Sequence, residues 1–398
     1  MNRHTNRRYV FSDEIPESTN EKQNEVSESN KSVNKSFFLV PKGNNKKRKK
    51  SSHKGSHKHL KRWQKVIIIV LCVLIAIALA AIGTVAVLLN TGKSDMTTKI
   101  EDVSLKVPDN IENHENGEYI TYKGDRYMYN ENLASILFMG VDKRDFETED
   151  DTYGQNGDAD ALMLLVYDTK TSKSTLVSIS RETIADVEAY STEGKYVGTK
   201  KEQICLAYSY GDGKEKSCEN EVAAVRRLFY NVPINSYVAL DLDGISYMND
   251  AVGGVELTPI ETFRNFTEGE TVTLWGKDAE SYVRYRDTTK LLSNNSRMKR
   301  QKQYLNAFFN QLVTSTKADF TTLLDLYNAA SPYMMTNVGA NKAAYLASEA
   351  LQNNFSALNM QNVPGEVKMG EKYAEYHIDE DAFFEMFLNI FYVVKLDK

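Results

Sequence analysis

Metal-ligating and redox-active side chains are scarce in this chain. It has three cysteines: Cys72 falls in an apolar run, and Cys205 and Cys218 lie far downstream. That is no disulfide framework. A Cys205–Cys218 bridge and two buried thiols are equally compatible with the spacing. Of six histidines, only His114 and His377 lie beyond residue 65. Neither has the spacing of a zinc ligand. The words G-x-x-x-x-G-K-[ST], G-x-S-x-G and H-E-x-x-H are absent, and there is no internal repeat. This argues against P-loop nucleotide chemistry, an α/β-hydrolase nucleophile and a zincin peptidase. What remains is carboxylate and arginine chemistry.

Charge is divided unevenly along the chain. Residues 1–65 carry 17 Lys/Arg against 6 Asp/Glu, a net of +11, whereas residues 66–398 are at −16. The boundary is "VIIIVLCVLIAIALAAIGTVAVLL", residues 66–89, without a charge in 24 positions. As a helix it measures about 36 Å, enough to cross a hydrocarbon core of about 30 Å with some tilt. It is too long, and too far from the N-terminus, for a signal-peptide core. The basic word "KKRKKSSHKGSHKHLKRWQK" precedes it, so the N-terminus is expected in the cytoplasm and residues 90–398 outside. Trp63 suits the inner interface. Residues 1–45, rich in Ser, Asn, Glu and Lys, are expected to be disordered. The basic run beside a span suits topogenesis and anionic lipid better than nucleic acid. Sixty-five such residues hold no folded DNA reader, so no specific nucleic-acid partner is expected.

The outer part reads as a stalk over 90–130, with a short hairpin at "YITYKGDRYMYN", then a globular domain over 131–377 and a C-terminal helix over 378–398. Strands are expected at 135–142, 161–168, 174–180 and 236–242, and at "VELT". Helices are expected at 221–232, in "GISYMNDAVGG" before a turn, at 297–313, and in "NKAAYLASEALQ" and "DEDAFFEMFLNIFY". Alternating strands and helices over this length imply a layered α/β domain.

Three places carry candidate chemistry. In "YVRYR" a strand period would put Tyr282, Arg284 and Arg286 on one face. Downstream "SNNS" would cap a helix beginning near Arg297, with Arg297, Arg300 or Gln301, and Tyr304 on one side. Guanidinium forks beside a helix N-terminus suit a phosphate-bearing ligand. Asp142 ends one buried strand and Asp160 begins the next. Facing carboxylates would suit Mg²⁺ (or Mn²⁺), although aspartates at strand ends also make turns. Arg181 follows the strand "STLVSIS", where α/β folds place ligands, or else it pairs with Glu182.

The segments "ILFMGVDKRD", "DADALMLLVYDTKTSKSTLVSISRET", "AYSYGDG", "YVALDLDGISYMNDAVGGVELT" and "LWGKDAESYVRYRDTTKLLSNNSRMKRQKQYL" resemble, in this order, the LytR-CpsA-Psr (LCP) family of bacterial cell-envelope proteins. R-x-R followed by R-x-x-R-Q is the most specific part. The resemblance implies a layered αβα domain with a central mixed sheet and an apolar tunnel for a polyprenyl chain. The activity implied is Mg²⁺-dependent transfer of a glycopolymer from an undecaprenyl-pyrophosphate carrier to peptidoglycan, on the outer face of a Gram-positive cell membrane. Asp142 and Asp160 would hold the metal. Arg181, Arg284, Arg286, Arg297 and Arg300 would grip the pyrophosphate with Gln301, and Arg181, Arg284, Arg286 and Arg297 would be catalytic. Four positions depart from the family pattern: Asp158 stands for Arg, Ser180-Arg181-Glu182 for Pro-Arg-Asp, Gln203 for Lys and Asn294 for Asp. A non-catalytic carrier-lipid binder is the alternative those departures raise.

Overall fold

The computed structural model describes residues 62–99, 104–143, 146, 156–287, 289, 293–319, 321–352 and 359–394. The disordered tail expected over 1–65 lies outside them but for its last four residues, as do the side chain of Trp63 and most of the acidic loop that follows Asp142. The chain divides into Met1–Lys65 and Val66–Lys398, and the second unit holds the fold.

Helix α1 (Arg62–Met96) contains a stretch, Ile69–Met96, long and apolar enough to cross a membrane. Its side chains from Ile69 to Leu88 are exposed. Then come β1 (Glu112–His114), β2 (Tyr119–Tyr122), β3 (Asp125–Tyr129), β4 (Leu133–Val141), β5 (Ala159–Asp168) and β6 (Ser174–Ile179). A long ribbon, β7 (Ile184–Tyr190) and β8 (Tyr196–Gln203), leads to α2 (Leu206–Ser209) and α3 (Glu215–Leu228). After β9 (Ser236–Leu240) and α4 (Leu242–Ala251) comes the ribbon β10 (Val255–Leu257) and β11 (Val272–Leu274). The helices α5 (Lys277–Arg284), α6 (Ser293–Ala318) and α7 (Thr321–Ala330) follow, then β12 (Met334–Thr336) and α8 (Ala340–Gln352). The chain closes with β13 (Asn359–Asn362), β14 (Gly365–Met369), β15 (Ala374–Ile378), α9 (Glu380–Phe391) and β16 (Tyr392–Val394).

The central sheet has the order β12-β9-β4-β5-β6-β13. It is mixed: β9 runs parallel to β4, β5 antiparallel to both β4 and β6, and β13 parallel to β6. Its middle strands are apolar on both faces, as strands covered by helices must be. Leu137, Met139, Val141, Leu162, Leu164 and Val166 face one core with Val225 of α3, Phe229 just after it, and Phe383, Phe387 and Phe391 of α9. The alternate residues Ala134, Ile136, Met163 and Leu165 face another with Met96, Tyr345 of α8 and Leu305 of α6. These are the three layers expected. Beside this core lies a void of about 10 Å³, lined by Met163, Leu176, Ser178, Lys302, Met360 and Gln361; it is about the size of one water.

Three expectations change. Residues 104–130 are part of the body, not a stalk. Leu105, Val107, Ile120 and Tyr129 are buried in the main core, and β1, β2 and β3 form a four-stranded sheet with the C-terminal β16. The hairpin within it is as read. Lys123 and Gly124 form its two-residue turn with φ of 53° and 90°, the left-handed pair that matches strand twist. The "YVRYR" word is not a strand. It is the end of α5, followed by extended Tyr285. The acidic first turn, Asp278 and Glu280, favours the helix start, and Ala279, Tyr282 and Val283 form its buried stripe. Finally, α6 begins at Ser293, so Arg297 lies one turn inside it.

Candidate active site at the strand ends

The end of β4, the start of β5 and the end of β6 meet the end of α5 and the first turns of α6. The Asp142 amide donates to the Asp158 carbonyl at 3.0 Å, which closes the first two ends together. Arg181 reaches across them. Its Nη2 donates to Asp158 at 3.0 Å and its Nη1 pairs with Asp160. Arg297, from α6, donates to the other oxygen of Asp160 at 3.1 Å. Arg284, the last residue of α5, binds Asp142 at 3.0 Å and Glu280 at 2.8 Å. Arg286, just beyond, binds Glu182 at 2.8 Å. So Asp142, Asp160, Arg181, Arg284, Arg286 and Arg297, singled out from sequence, all stand in ion pairs at these strand ends: Arg181 and Arg297 with Asp158 and Asp160, Arg284 with Asp142 and Glu280, and Arg286 with Glu182. Arg181 pairs with Asp158 and Asp160 rather than with its neighbour Glu182.

Arg297 is 6% exposed. Burial, and then the like charges of Arg181 and Arg286, push its pKa down to about 10. It therefore keeps its proton at neutral pH. Removing water from a charge is costly unless partners replace it, and here Asp160 does so.

Arg300 does not join the array. It is 1% exposed. Its Nε donates to Glu261 at 2.7 Å, and its Nη1 and Nη2 donate to the carbonyls of Tyr282 and Tyr285. The guanidinium lies 4.5 Å from the Phe263 ring centroid. Every nitrogen is engaged, so the pyrophosphate grip expected of Arg300 is replaced by a clasp. Gln301 works beside it, donating to the Val283 carbonyl at 3.3 Å. The last carbonyls of a helix lack internal donors. Arg300 and Gln301 supply them to α5, and thereby aim Arg284 and Arg286.

Sequence reasoning missed the partners. Asp158 is marked as a departure but is a ligand of Arg181. Glu182 and Glu280 are the counter-ions of Arg286 and Arg284. The signal was present, since each lies in a word with an arginine; Glu280 pairs within its own helix at i,i+4, whereas Asp158 and Glu182 pair between elements far apart in sequence. Of the other departures, Gln203 donates to the Ala374 carbonyl at 2.7 Å and so joins two ribbons. The side chain of Asn294 lies outside the described residues. Cys205 and Cys218 are both free and buried.

A metal would find carboxylate oxygens here, the donors a hard divalent ion takes. Among the described residues no group of three or more His, Cys, Asp or Glu comes together to hold one. Asp142 and Asp160, the two carboxylates singled out from sequence for such an ion, are engaged here by Arg284 and by Arg181 and Arg297.

The architecture defines a layered α/β protein with an arginine–carboxylate array at the end of its central sheet. The chain belongs to the LytR_cpsA_psr family, whose model matches residues 91–390. It is similar to the polyisoprenyl-teichoic acid–peptidoglycan teichoic acid transferase TagV of Bacillus subtilis, with 30% identity over 56% of this chain. That match spans 54% of the relative, little more than half its length. TagU of Enterococcus faecalis, a transferase of the same description, is 24% identical over 63% of this chain and 76% of its own. Among solved structures, B. subtilis TagV superposes with a TM-score of 0.51 at 24% identity, over 65% of this chain and 95% of that one. A Streptococcus agalactiae protein gives 0.54 at 19%, over 65% and 86%. These two likenesses concern the fold.

Proposed function

We propose that this protein is a single-pass membrane transferase, with its N-terminus in the cytoplasm and its folded domain outside a Gram-positive cell. It would move a glycopolymer from an undecaprenyl-pyrophosphate carrier to peptidoglycan. The observation that carries the reading is the array: Arg181, Arg284, Arg286 and Arg297 converge on Asp142, Asp158, Asp160, Glu182 and Glu280. Family membership and the names of the relatives support it.

Counting charges suggests how such a site takes its ligand. The four arginines face five carboxylates, so the resting array is close to neutral. A diphosphate arriving with a divalent ion leaves it so. The arginines turn to phosphate oxygens, while Asp142 and Asp160 would hold Mg²⁺ (or Mn²⁺), which would supply charge neutralisation at the phosphates. An acceptor hydroxyl of peptidoglycan then attacks the sugar-bearing phosphorus, and its proton passes to solvent or to the leaving phosphate as the new P–O bond forms. The bond to the bridging oxygen breaks, and polyprenyl phosphate leaves. Such transfer depends on positioning and charge stabilisation more than on covalent catalysis. Arg284 and Arg286 are aimed by the α5 clasp, and Arg181 and Arg297 by Asp160.

A second reading has one observation in its favour. Asp158 spends part of the charge of Arg181, which suits a protein that holds the carrier without turning it over. One assay separates the two. The full chain in detergent is incubated with a polyprenyl-diphosphate oligosaccharide, peptidoglycan fragments and Mg²⁺, and sugar joined to peptidoglycan is measured. Product that vanishes with EDTA supports the transferase. Bound lipid without product supports the binder. Neither binding nor product refutes both.

A further inference from the structure

A cleft of about 600 Å³ opens beside the array. Pockets of about 300–1,000 Å³ take whole small-molecule ligands, so this one has room for more than a diphosphate. Arg284 and Arg286 line it, and so do Arg264 and Lys277, with Asp278 and Glu280. Four cations against two carboxylates make the lining positive, in a part of the chain at −16 overall.

The cations are not alike. Arg284 is held by Asp142 and Glu280, and Arg286 by Glu182. Arg264 and Lys277 form no ion pair among the described residues. Arg264 is nonetheless fixed. Its Nη1 donates to Ser281 Oγ at 2.8 Å, and its guanidinium lies 5.3 Å from the centroid of the Tyr285 ring. Its backbone has φ of 48°. Residues other than Gly, Asn and Asp rarely take that conformation, and strain of this kind collects at ligand sites.

We infer that Arg264 and Lys277 form a second oxyanion subsite, for a phosphodiester or carboxylate on the glycan brought to the array. The inference rests on the proposed function, which places the reacting diphosphate beside this cleft. A phosphodiester would come from the donor polymer, a carboxylate from the stem peptide of the acceptor. Either would receive charge-assisted hydrogen bonds.

The test uses the full chain in detergent with Mg²⁺, as wild type and as the double variant Arg264→Asn/Lys277→Gln. Asparagine tolerates the positive φ, so the backbone is spared. Binding is measured calorimetrically for inorganic pyrophosphate, a short glycerol-phosphate oligomer and a disaccharide-peptide. The variant is expected to bind pyrophosphate as the wild type does. It is expected to lose about tenfold affinity, about 1.4 kcal/mol, for one of the other two. The wild-type affinity for that probe should weaken with added salt. A loss with the oligomer assigns the subsite to the donor, and a loss with the disaccharide-peptide assigns it to the acceptor. Equal affinities of variant and wild type for both overturn the subsite. If the wild type does not bind pyrophosphate, the reading of the array fails, while the other two probes still decide the subsite.

Discussion

The central sheet is finished in opposite ways at its two ends. Where β4 begins, Ala134 bridges to Thr97 just after α1, and Met96 and Tyr345 are buried against the strands. Contacts there are close, with neutral donors around the apolar ones: Asn341 donates to Asp95 and Asn235 to Thr98, each at 2.6 Å. A Cβ on Gly92 would lie 2.1 Å from the Asn341 carbonyl oxygen. Where β4 ends, Asp142 and its arginines replace apolar packing with ion pairs. The same alternation of residues runs through both ends, so the strands alone do not make the difference. It comes from what the following loops and helices deliver. Packing fixes where the sheet sits, and on the proposed reading the paired charges at its other end are what a ligand would displace.

Three substitutions would break or sharpen this contrast. The largest effect is expected from Arg297→Ala. It should lower transfer at least about 100-fold, the scale seen when one preorganised charge-stabilising donor is removed. The fold should survive, because Asp160 keeps Arg181. Product formation and a melting curve check both halves, and wild-type turnover would remove Arg297 from the site. Arg300→Lys comes next. A lysine cannot serve Glu261 and two carbonyls at once, and an unmet buried polar group costs about 1–3 kcal/mol. Denaturant unfolding should show that loss, with a smaller fall in pyrophosphate affinity than Arg297→Ala gives. Gly92→Val acts only at the apolar end. Overpacking of this kind costs about 1–3 kcal/mol, and the melting temperature should fall while pyrophosphate affinity stays unchanged. A change in that affinity would show that the two ends are coupled.

The middle strands were legible because apolar runs such as "SILFMGVD" and "ALMLLVYD" are covered on both faces and need no partner to declare them. "YVRYR" was not. Tyr and Val alternating with Arg imitate a strand, while the helix is stabilised from outside, by Arg300 and Gln301 capping its last carbonyls. The same cause limited the site. Arg181, Arg284, Arg286 and Arg297 could be singled out by residue type and place. Their exchange of partners with Asp158 and Glu182 is tertiary, and so is the departure of Arg300 into a clasp three residues from Arg297 on the same helix. The stalk expected over 90–130 failed for a like reason. Its short strands pair with one another, and the strand that joins them at β3, β16, returns from the far end of the chain.

The attachment of α1 at the start of β4 also sets a length. The strand has nine residues, so at about 3.3 Å per residue its ends stand roughly 26 Å apart. On the proposed reading, that span is the reach required of the carrier. A lipid whose diphosphate met Arg284 would carry its headgroup about the length of β4 from the point where α1 joins the sheet. Short-chain carrier analogues would then fail by falling short, even with the correct headgroup.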